Sequence, residues 1–555
     1  MFEFLEYLAN GCSFFEIMGE FTERLPLRPR TTNLPPVMEK GLVGFPQGPQ
    51  AEPPRDLATA LRSYVTQSNF AVIEGEGELR RILDEPLEKW RFFLHPQQRR
   101  LALRDYSGPS RVLGGAGTGK TVVALHRAKW LASKCAGQER ILFTTFTKNL
   151  ATDIKHKLKK ICTHEEYAHI DVYNLDLWIN EFMESQKYDF KIAYGEEISK
   201  LWDEAIALNP NADDYGKTFY REEWAQIVIP QEAFSLDEYH NASRAGRGTG
   251  LNPKEKENIW GVFKTLINLM DENKLRDINM ATYECRKIIE NMNSSPLYSS
   301  VIVDEGEDFN ENDYKLIRKI AGNEHLNDLF IVGDAHQRIY NQKTVLSRCG
   351  INLAGRGGYL RLNYRTTEEI RKRTVNILKD EPIDDLNGGR DKEKQCQSLT
   401  HGKPPVIKLF NDFDQELAFI VGEIKNLPLA GDDLRNVCLV ARTDDLLENY
   451  KTELMKRGFP VHHIQLEGSD DQTKKGIRLT TMHGVKGLEF PYLFMAAVND
   501  GIIPPAKPTP NADKVTERER LTSEKRLLYV AMTRAQKALY LTGFGQGSEL
   551  LQAFD

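Results

Sequence analysis

Cysteines, long apolar runs and an excess of positive charge are all scarce in this sequence of 555 residues. Its seven cysteines show no C-x-x-C spacing, which argues against structural zinc or a disulfide framework and favours a reducing cytoplasm. Because no run of about 18 apolar residues is available to span a bilayer, we do not expect a membrane protein. The apolar N-terminal segment carries Glu3 and Glu6 where a signal peptide has basic residues, so we expect a folded helix there.

The net charge of −6 and the isoelectric point near 6.1 exclude a globally basic surface for nucleic acid. Any nucleic-acid site must therefore be local, for example in a channel between lobes. With 40% apolar and 28% charged residues, the composition is that of a globular protein, and the length allows roughly three or four subdomains.

The character of the sequence changes along the chain. Eight of the 25 prolines fall between Pro26 and Pro54, which predicts a linker or an extended arm. The region from about 195 to 292 has a strongly helical pattern, which predicts an inserted subdomain. Within it, the glycine-rich basic stretch at 241–256 is interpreted as a solvated loop, with a DNA contact as the alternative. Short β-branched runs typical of buried parallel strands begin near residue 93. These runs are ILFTT at 141, VIVDE at 301, LFIVGD at 329, VCLVA at 437 and YLFMAAV at 492.

The strongest motif is G-x-x-x-x-G-K-T at 114–121, which follows the strand-like Arg111-Val-Leu and opens a helix. Its glycines let backbone N–H groups wrap the phosphates of a nucleotide, Lys120 can reach the β- and γ-phosphates, and the Thr121 hydroxyl can ligate Mg²⁺. We therefore predict nucleotide contacts along the whole loop. They are Gly114, Gly115, Ala116, Gly117, Thr118, Gly119, Lys120 and Thr121.

The second half of an ATPase site is predicted where Asp304 and Glu305 follow the apolar run Val301-Ile-Val. Asp304 would hold Mg²⁺ through its shell, and Glu305 would polarise the attacking water. Such a string is common by itself, and its position downstream of a P-loop is what strengthens the prediction.

Eight motifs in this order resemble those of the UvrD/Rep family of superfamily-1 DNA helicases, from about residue 93 to 545. They are LHPQQ with Gln98, GGAGTGKT, TTFTKN (144–149), DEGED (304–308), VGDAHQRIY (332–340), LNYRTT (362–367), TTMHGVKGLEF (480–490) and EKRLLYVAMTRA (524–535). The resemblance implies an α/β fold of two RecA-like P-loop lobes, with ATP and Mg²⁺ between them. It implies a first lobe at 93–150 and 293–355, a helical insertion at 151–292 and a second lobe at 356–555, and it leaves 1–92 as an extra N-terminal region.

The resemblance also implies how the base and the sugar of ATP are held. Gln98 would read the adenine edge, and Tyr364 would stack on the adenine face. Glu489, close to Gly487, would hydrogen-bond the ribose.

Three further residues would meet the γ-phosphate if the resemblance holds. Gln337 would sense it from the first lobe, while Arg365 and Arg534 would reach it from the second and neutralise developing charge. Taken singly, either arginine fits a surface salt bridge equally well. With Lys120, Asp304 and Glu305 they make up the predicted catalytic set.

Six residues resemble the family's contacts to single-stranded nucleic acid, since small hydroxyls bind phosphates and aromatic rings stack on bases. The alternative for Phe146 is an ordinary position in the hydrophobic core. The alternative for His483 is a buried histidine whose hydrogen bonds are satisfied within the protein. The six are Thr145, Phe146, Thr147, Tyr340, Thr481 and His483.

The sequence departs from the family pattern at several positions. Glu307 stands where the family has glutamine in D-E-x-Q-D, so an amide has become a carboxylate. Val122 stands where an arginine sandwiches adenine, and Asn341-Gln342-Lys343 replaces a run with a base-stacking tryptophan. Between Arg365 and Thr480 there is room for the second lobe but not for the large additional helical subdomain of full-length UvrD-like enzymes.

Two functions remain open from these observations. The first is an ATP-dependent DNA translocase or helicase on single-stranded DNA, with 3′-to-5′ polarity by analogy with the family. The second is a nucleotide-gated ATPase subunit of a multi-protein complex, for example beside a nuclease in DNA repair or antiviral defence, with a protein partner docked on the proline-rich arm.

Overall fold

The computed structural model describes residues 94–554, apart from gaps at 213–214, 245–249, 293–295, 340–343, 354, 380, 382–395, 430–432, 466–469, 472 and 506–513. The expected N-terminal helix, the proline-rich arm and Tyr340 therefore lie outside the described residues. No helix within the described ranges combines the length and apolarity needed to cross a membrane.

The strands alternate with helices along most of the described chain, as the β-branched runs predict. The strands are β1 (Ser110–Gly114), β2 (Ile141–Thr145), β3 (Ile170–Asn174), β4 (Lys191–Ile192), β5 (Leu275–Arg276), β6 (Ser300–Val303), β7 (Leu329–Gly333), β8 (Gly357–Leu360), β9 (Leu362–Thr367), β10 (Gln397–Thr400), β11 (Val406–Phe410), β12 (Val437–Ala441), β13 (Val461–His463), β14 (Ile477–Thr481), β15 (Phe490–Met495) and β16 (Ala535–Phe544). The α-helices are α1 (Pro96–Ala102), α2 (Lys120–Ala132), α3 (Lys148–Ile161), α4 (His164–Ala168), α5 (Leu175–Ser185), α6 (Gly195–Ala207), α7 (Lys217–Glu223), α8 (Leu236–Asn241), α9 (Pro253–Glu272), α10 (Ile278–Asn291), α11 (Glu311–Ile320), α12 (Glu368–Asn376), α13 (Phe413–Lys425), α14 (Asp444–Lys456) and α15 (Lys514–Met532). All five β-branched runs that predicted strands form strands.

The first lobe is built on a parallel sheet with the strand order β3-β2-β6-β7-β1-β8. Successive residues of a strand point to opposite faces, so Leu142 joins a core with α5 and α11, while Phe143 joins another with α2 and α3. Helices on both faces bury the inner strands β2, β6 and β7 completely, which explains why these strands are largely apolar in sequence.

The second lobe repeats this arrangement with the strand order β11-β16-β15-β12-β14-β13, again with parallel pairing throughout. Cys438 and Val440 face a core that includes α12 and α15, and Leu439 faces one with α13 and α14. The strands β9 and β10 form a separate parallel pair that leads into this lobe. Two RecA-like α/β lobes are thus confirmed.

A helical subdomain interrupts the first lobe, as the sequence predicts. The helices α6 to α9 bury an aromatic cluster centred on Trp202, Trp224 and Phe263, whose rings pack mainly edge to face. One π-helical turn, Trp224–Val228, lies in this cluster. The helix α10 then returns the chain to the first lobe, because its Cys285 and Ile289 join the core of that lobe.

Two expected boundaries differ from the structure. The insertion expected at 151–292 contains β3, yet β3 pairs with β2 of the first sheet, so the first lobe continues well past residue 150. The second lobe expected from residue 356 contains β8, yet β8 pairs with β1. Both short strands have mixed polarity, and periodicity alone gave no sign of the pairing.

Candidate active site

The loop between β1 and α2 forms a narrow backbone cradle. Gly117 and Gly119 have φ values of 75° and 80°, which glycine adopts without strain. The second lobe lies directly against this loop, since Tyr364 N donates to Gly117 O over 2.9 Å. A Cβ on Gly117 would lie 2.4 Å from Asn363 Oδ1. Glycine is therefore required here both by the conformation and by the approach of the other lobe.

Lys120 is the first residue of α2 and its side chain is buried. Its Nζ donates to Gly114 O over 2.9 Å and to Gly115 O over 3.1 Å, and it lies 3.6 Å from Asp334 Oδ2. The ammonium group thus points into the cradle at the N-terminus of the helix, where the helix dipole and the free N–H groups favour phosphate.

The predicted Mg²⁺ ligands Thr121 and Asp304 meet at the end of β6. The Thr121 hydroxyl lies close enough to the Asp304 carboxylate to lower its pKa, and Asp304 Oδ2 is buried with no hydrogen-bond partner among the described residues. Burial, reinforced by the neighbouring Glu305, raises the pKa of Asp304 to about 7. An unpartnered buried carboxylate oxygen beside a hydroxyl fits the hard oxygen shell that Mg²⁺ requires.

Glu305 follows directly, in the left-handed region with φ at 54°, which is strained for a residue with a side chain. Burial alone would raise its pKa, but the Lys486 ammonium and the neighbouring Glu307 side chain, aided by Lys120 and Arg534, lower it to about 2. The group is therefore a carboxylate that can accept a proton from water. This is the state that the predicted role needs.

Gln98 and Tyr364 both lie near His95, beside the nucleotide loop. The Gln98 amide donates to Thr118 O over 3.0 Å and accepts from His95 N over 3.0 Å, so it braces the loop against α1. The Tyr364 ring is 39% exposed, and its centroid lies 6.3 Å from that of His95. The structure thus brings both predicted adenine contacts to one end of the loop.

The arginines differ in their surroundings. Arg534 is buried, and its guanidinium contacts Gln337 Oε1 in the first lobe, while Gln337 Nε2 donates to Asp334 Oδ2 over 2.6 Å. Arg365 is less buried and pairs with Glu489, which keeps the pKa of Glu489 below its ordinary value against the effect of burial. The pairing of Arg365 matches the salt-bridge alternative, whereas Arg534 reaches across the cleft between the lobes.

Sequence reasoning missed a buried cross-lobe ion pair. Lys486 Nζ of the second lobe donates to Asp308 Oδ1 over 2.6 Å and to Gln337 O over 3.1 Å. Burial alone would lower the pKa of Lys486, but Asp308, Glu307 and Glu305 raise it above its ordinary value. Both residues belong to motifs that are visible in the sequence. The sequence could have indicated the pair only because neither Lys486 nor Asp308 had been assigned a role or a partner.

Two family profiles cover most of the chain. That of the UvrD/REP helicase N-terminal domain matches residues 94–344, and that of the UvrD-like helicase C-terminal domain matches 359–467 and 461–546. The chain belongs to the UvrD/REP helicase family. Membership classes it as an ATP-hydrolysing enzyme of the helicase type, in agreement with the resemblance seen in the motifs.

Several proteins named as DNA helicases are similar to this chain in sequence, at modest identity. A protein named "Probable DNA helicase" from Mycoplasma pneumoniae is 24% identical over 471 residues, covering 80% of this chain and 82% of that protein. DNA helicase II of Escherichia coli is 24% identical over 375 residues, covering 63% of this chain and 48% of that protein. A "Probable DNA helicase II homolog" of Mycoplasma capricolum is 23% identical, covering 66% and 51%. The chain spans about half the length of the last two.

In this UvrD/REP chain the candidate nucleic-acid residues of the first lobe follow β2. Thr145 is fully buried at the end of that strand, and Thr147 is exposed and caps α3 by accepting from Leu150 N over 3.3 Å. Phe146 is half-buried and packs edge-on against Phe309 with centroids 5.9 Å apart, which is the contact that the core alternative predicts. Of the three, Thr147 is the most accessible to a phosphate.

The candidates of the second lobe occupy the matching place after β14. Thr481 ends the strand, and its hydroxyl accepts from Gly484 N over 3.1 Å. His483 is half-buried, and burial together with the nearby Arg442 lowers its pKa, so it is neutral near pH 7. Both lobes therefore present their candidate contacts at the carboxyl ends of parallel strands, where ligands of α/β sheets bind.

Proposed function

We propose that this chain is an ATP-driven motor that translocates on single-stranded DNA by opening and closing the cleft between its two lobes. The observation that carries the proposal is the set of contacts from the second lobe to the nucleotide loop and the acidic turn. Tyr364 N contacts Gly117, Arg534 contacts Gln337, and Lys486 pairs with Asp308.

In this proposal Thr121 and Asp304 would hold Mg²⁺, which neutralises phosphate charge in the reaction, while Lys120 binds the β- and γ-phosphates. Glu305 takes the proton of the attacking water. Arg534 now lies on Gln337, so an incoming γ-phosphate would bind between them and keep the lobes together. Loss of that phosphate removes the shared anion and lets the cleft relax.

Strand movement follows if each lobe holds the DNA backbone separately. Thr147 of the first lobe and Thr481 of the second are the proposed phosphate contacts, with His483 beside the second. Closing the cleft would shorten the distance between these contacts. Among the described residues of the second lobe there is no large helical subdomain that could grip a duplex, which favours translocation over processive unwinding.

The finer assignments are part of the same proposal. We assign 3′-to-5′ polarity by analogy with the family and place the protein in the cytoplasm, where its six described free cysteines would stay reduced. DNA repair or antiviral defence is the proposed setting. The lobe assignment is revised so that β3 and β8 belong to the first lobe and the helical subdomain begins near β4.

The test is displacement of streptavidin from single-stranded oligonucleotides biotinylated at one end. We expect ATP-dependent displacement from the 5′ end, since a 3′-to-5′ motor runs towards it, and little from the 3′ end. Lys120→Ala serves as the blank, because it removes the phosphate-binding ammonium. Failure to displace from either end, in a protein that hydrolyses ATP, would remove translocation and favour the nucleotide-gated subunit.

A further inference from the structure

Glu307 is held rigidly in the acidic turn, in the place where the family carries glutamine. It belongs to the 3₁₀ turn Gly306–Asp308 and is 2% exposed. The turn is fastened from behind, because the buried Tyr314 hydroxyl of α11 donates to Gly306 O over 2.6 Å. A Cβ at Gly306 would lie 2.8 Å from Ile331 Cγ2, so this position is closely packed and admits no side chain.

The two oxygens of the Glu307 side chain are in different situations. Oε2 accepts from Asp334 N over 2.8 Å. Oε1 is buried with no donor among the described residues, and Glu305 Oε2 is in the same state. The two side chains belong to the same turn and lie close enough for each to shift the pKa of the other. Two carboxylates have no hydrogen to share, and one proton between them would satisfy both unpartnered oxygens.

The surrounding charges decide which group carries that proton. Glu305 and Asp308 lie on the same turn, Tyr314 faces Glu307 from α11, and Lys486 faces it from the second lobe. The single ammonium of Lys486 is closely paired with Asp308. Burial and the negative charge of Glu305 raise the pKa of Glu307 well above its ordinary value, while that of Glu305 is lowered.

Glu307 also connects the two halves of the γ-phosphate site. Its acceptor bond fixes the backbone of Asp334, whose carboxylate accepts from Gln337 Nε2 over 2.6 Å. Gln337 in turn contacts Arg534 of the second lobe. Hydrogen bonds therefore connect Glu307 through Asp334 to Gln337, the residue that would sense the γ-phosphate.

We propose that Glu307 is a positioning residue that works as a neutral carboxylic acid, donating its proton to Glu305 while holding the Asp334–Gln337 turn. It thereby supplies the donor and the acceptor that an amide supplies in the family. Unlike an amide, a carboxylic acid can lose its proton. Loss of the proton at higher pH places two buried anions side by side, disorients Glu305 and slows turnover. The inference rests on the proposed function, because turnover is one of its readouts.

The test compares the full chain with Glu307→Gln, whose amide keeps the donor and the acceptor at every pH. We measure kcat and KM for ATP between pH 6 and pH 10 with an oligothymidine cofactor. The kcat of the natural chain should fall severalfold as pH rises through the loss of the Glu307 proton, with KM nearly constant. Glu307→Gln should be flat over the same range. Identical pH profiles for the two proteins would overturn the proposal.

A matched control and a direct readout separate this outcome from others. Glu311→Gln removes a partly exposed carboxylate four residues away that pairs with Lys315 at 2.9 Å, so its pH profile should follow that of the natural chain. Infrared difference spectra of natural protein minus Glu307→Gln, taken without ATP, should show the carbonyl stretch of a protonated carboxyl group that disappears at high pH. A difference spectrum without that band contradicts the proposal even if the protein hydrolyses no ATP, whereas the band without any turnover contradicts only the proposed function.

Discussion

The charges around the nucleotide loop are balanced across the two lobes. Asp304, Glu305 and Asp308 come from one turn of the first lobe, while Lys486 and Arg534 come from the second. Burying a charge costs free energy unless the charge is paired. The charges that one lobe buries at this site are therefore compensated by the opposite charges of the other lobe. The chemistry of the site and the association of the lobes therefore depend on the same residues.

Replacement of Glu305 by glutamine tests the hydrolytic step. Glu305→Gln keeps the shape but cannot accept a proton, so ATP turnover should fall roughly 10²–10⁴-fold while ATP binding persists. Binding of a fluorescent ATP analogue and release of phosphate measure the two properties separately. Lys120→Ala is the comparison that should lose binding. Full turnover by Glu305→Gln would disprove the assignment of the base.

The cross-lobe ion pair makes a prediction about stability. Lys486→Met leaves the carboxylate of Asp308 buried without its partner. This should reduce the free energy of unfolding by about 3–5 kcal/mol and lower the unfolding temperature clearly. Lys486→Met combined with Asp308→Asn should recover part of the loss, because no unpaired charge remains.

Scanning fluorimetry measures these shifts, with Lys451→Met as the control. Lys451 pairs with Glu448 at 3.0 Å on the surface, where such a pair contributes about 0–1 kcal/mol. Equal shifts for Lys486→Met and Lys451→Met would contradict the importance of the buried pair.

Single residues also show where sequence reasoning ends. The motifs predict that Lys120, Thr121, Asp304 and Glu305 lie together, and the structure places them close to one another because the loop after β1 and the turn after β6 lie at the same edge of one parallel sheet. The pairing of Lys486 with Asp308 escaped it, since nothing in the sequence says that two lobes distant along the chain meet at those positions. Roles in binding ATP or DNA stay predictions for every one of these side chains.

Among the structural elements, the nucleotide loop is the one most tightly constrained. Gly117→Ala places a Cβ within 2.6 Å of Arg365 Cβ at a φ of 75°, so it should displace β9 and weaken ATP binding strongly. Gly137→Ala is a matched control, since Gly137 also has positive φ, at 60°, but nothing lies within 4 Å. It should cost about 1 kcal/mol of stability and leave ATP binding unchanged. Equal ATP affinity in the two variants would contradict the close approach of the lobes.

The elements themselves were predictable to different degrees. Strands buried on both faces, such as β2, β7 and β12, are continuous apolar runs, and the sequence indicates them directly. The strands β3 and β8 have polar residues and lie at the two edges of the first sheet, where one side of the strand is unpaired. Their membership of the first lobe is decided by long-range pairing, which local periodicity does not report.

At the scale of the whole molecule, the two lobes meet at the nucleotide loop. Each is a parallel sheet covered on both faces, and the second reaches the nucleotide loop of the first through Tyr364, Lys486 and Arg534. Because charged residues hold the two lobes together at this cleft, binding or loss of an anion such as the γ-phosphate can move one lobe relative to the other. The helix α10, which follows the helical subdomain, joins the core of the first lobe.

Steady-state ATP hydrolysis with and without single-stranded DNA tests most sharply whether this chain is a motor driven along DNA. The natural chain should hydrolyse ATP slowly by itself and severalfold faster with saturating single-stranded DNA, and Lys120→Ala should show neither rate. Turnover by the natural chain that is the same with and without any nucleic acid would contradict a motor that steps along DNA.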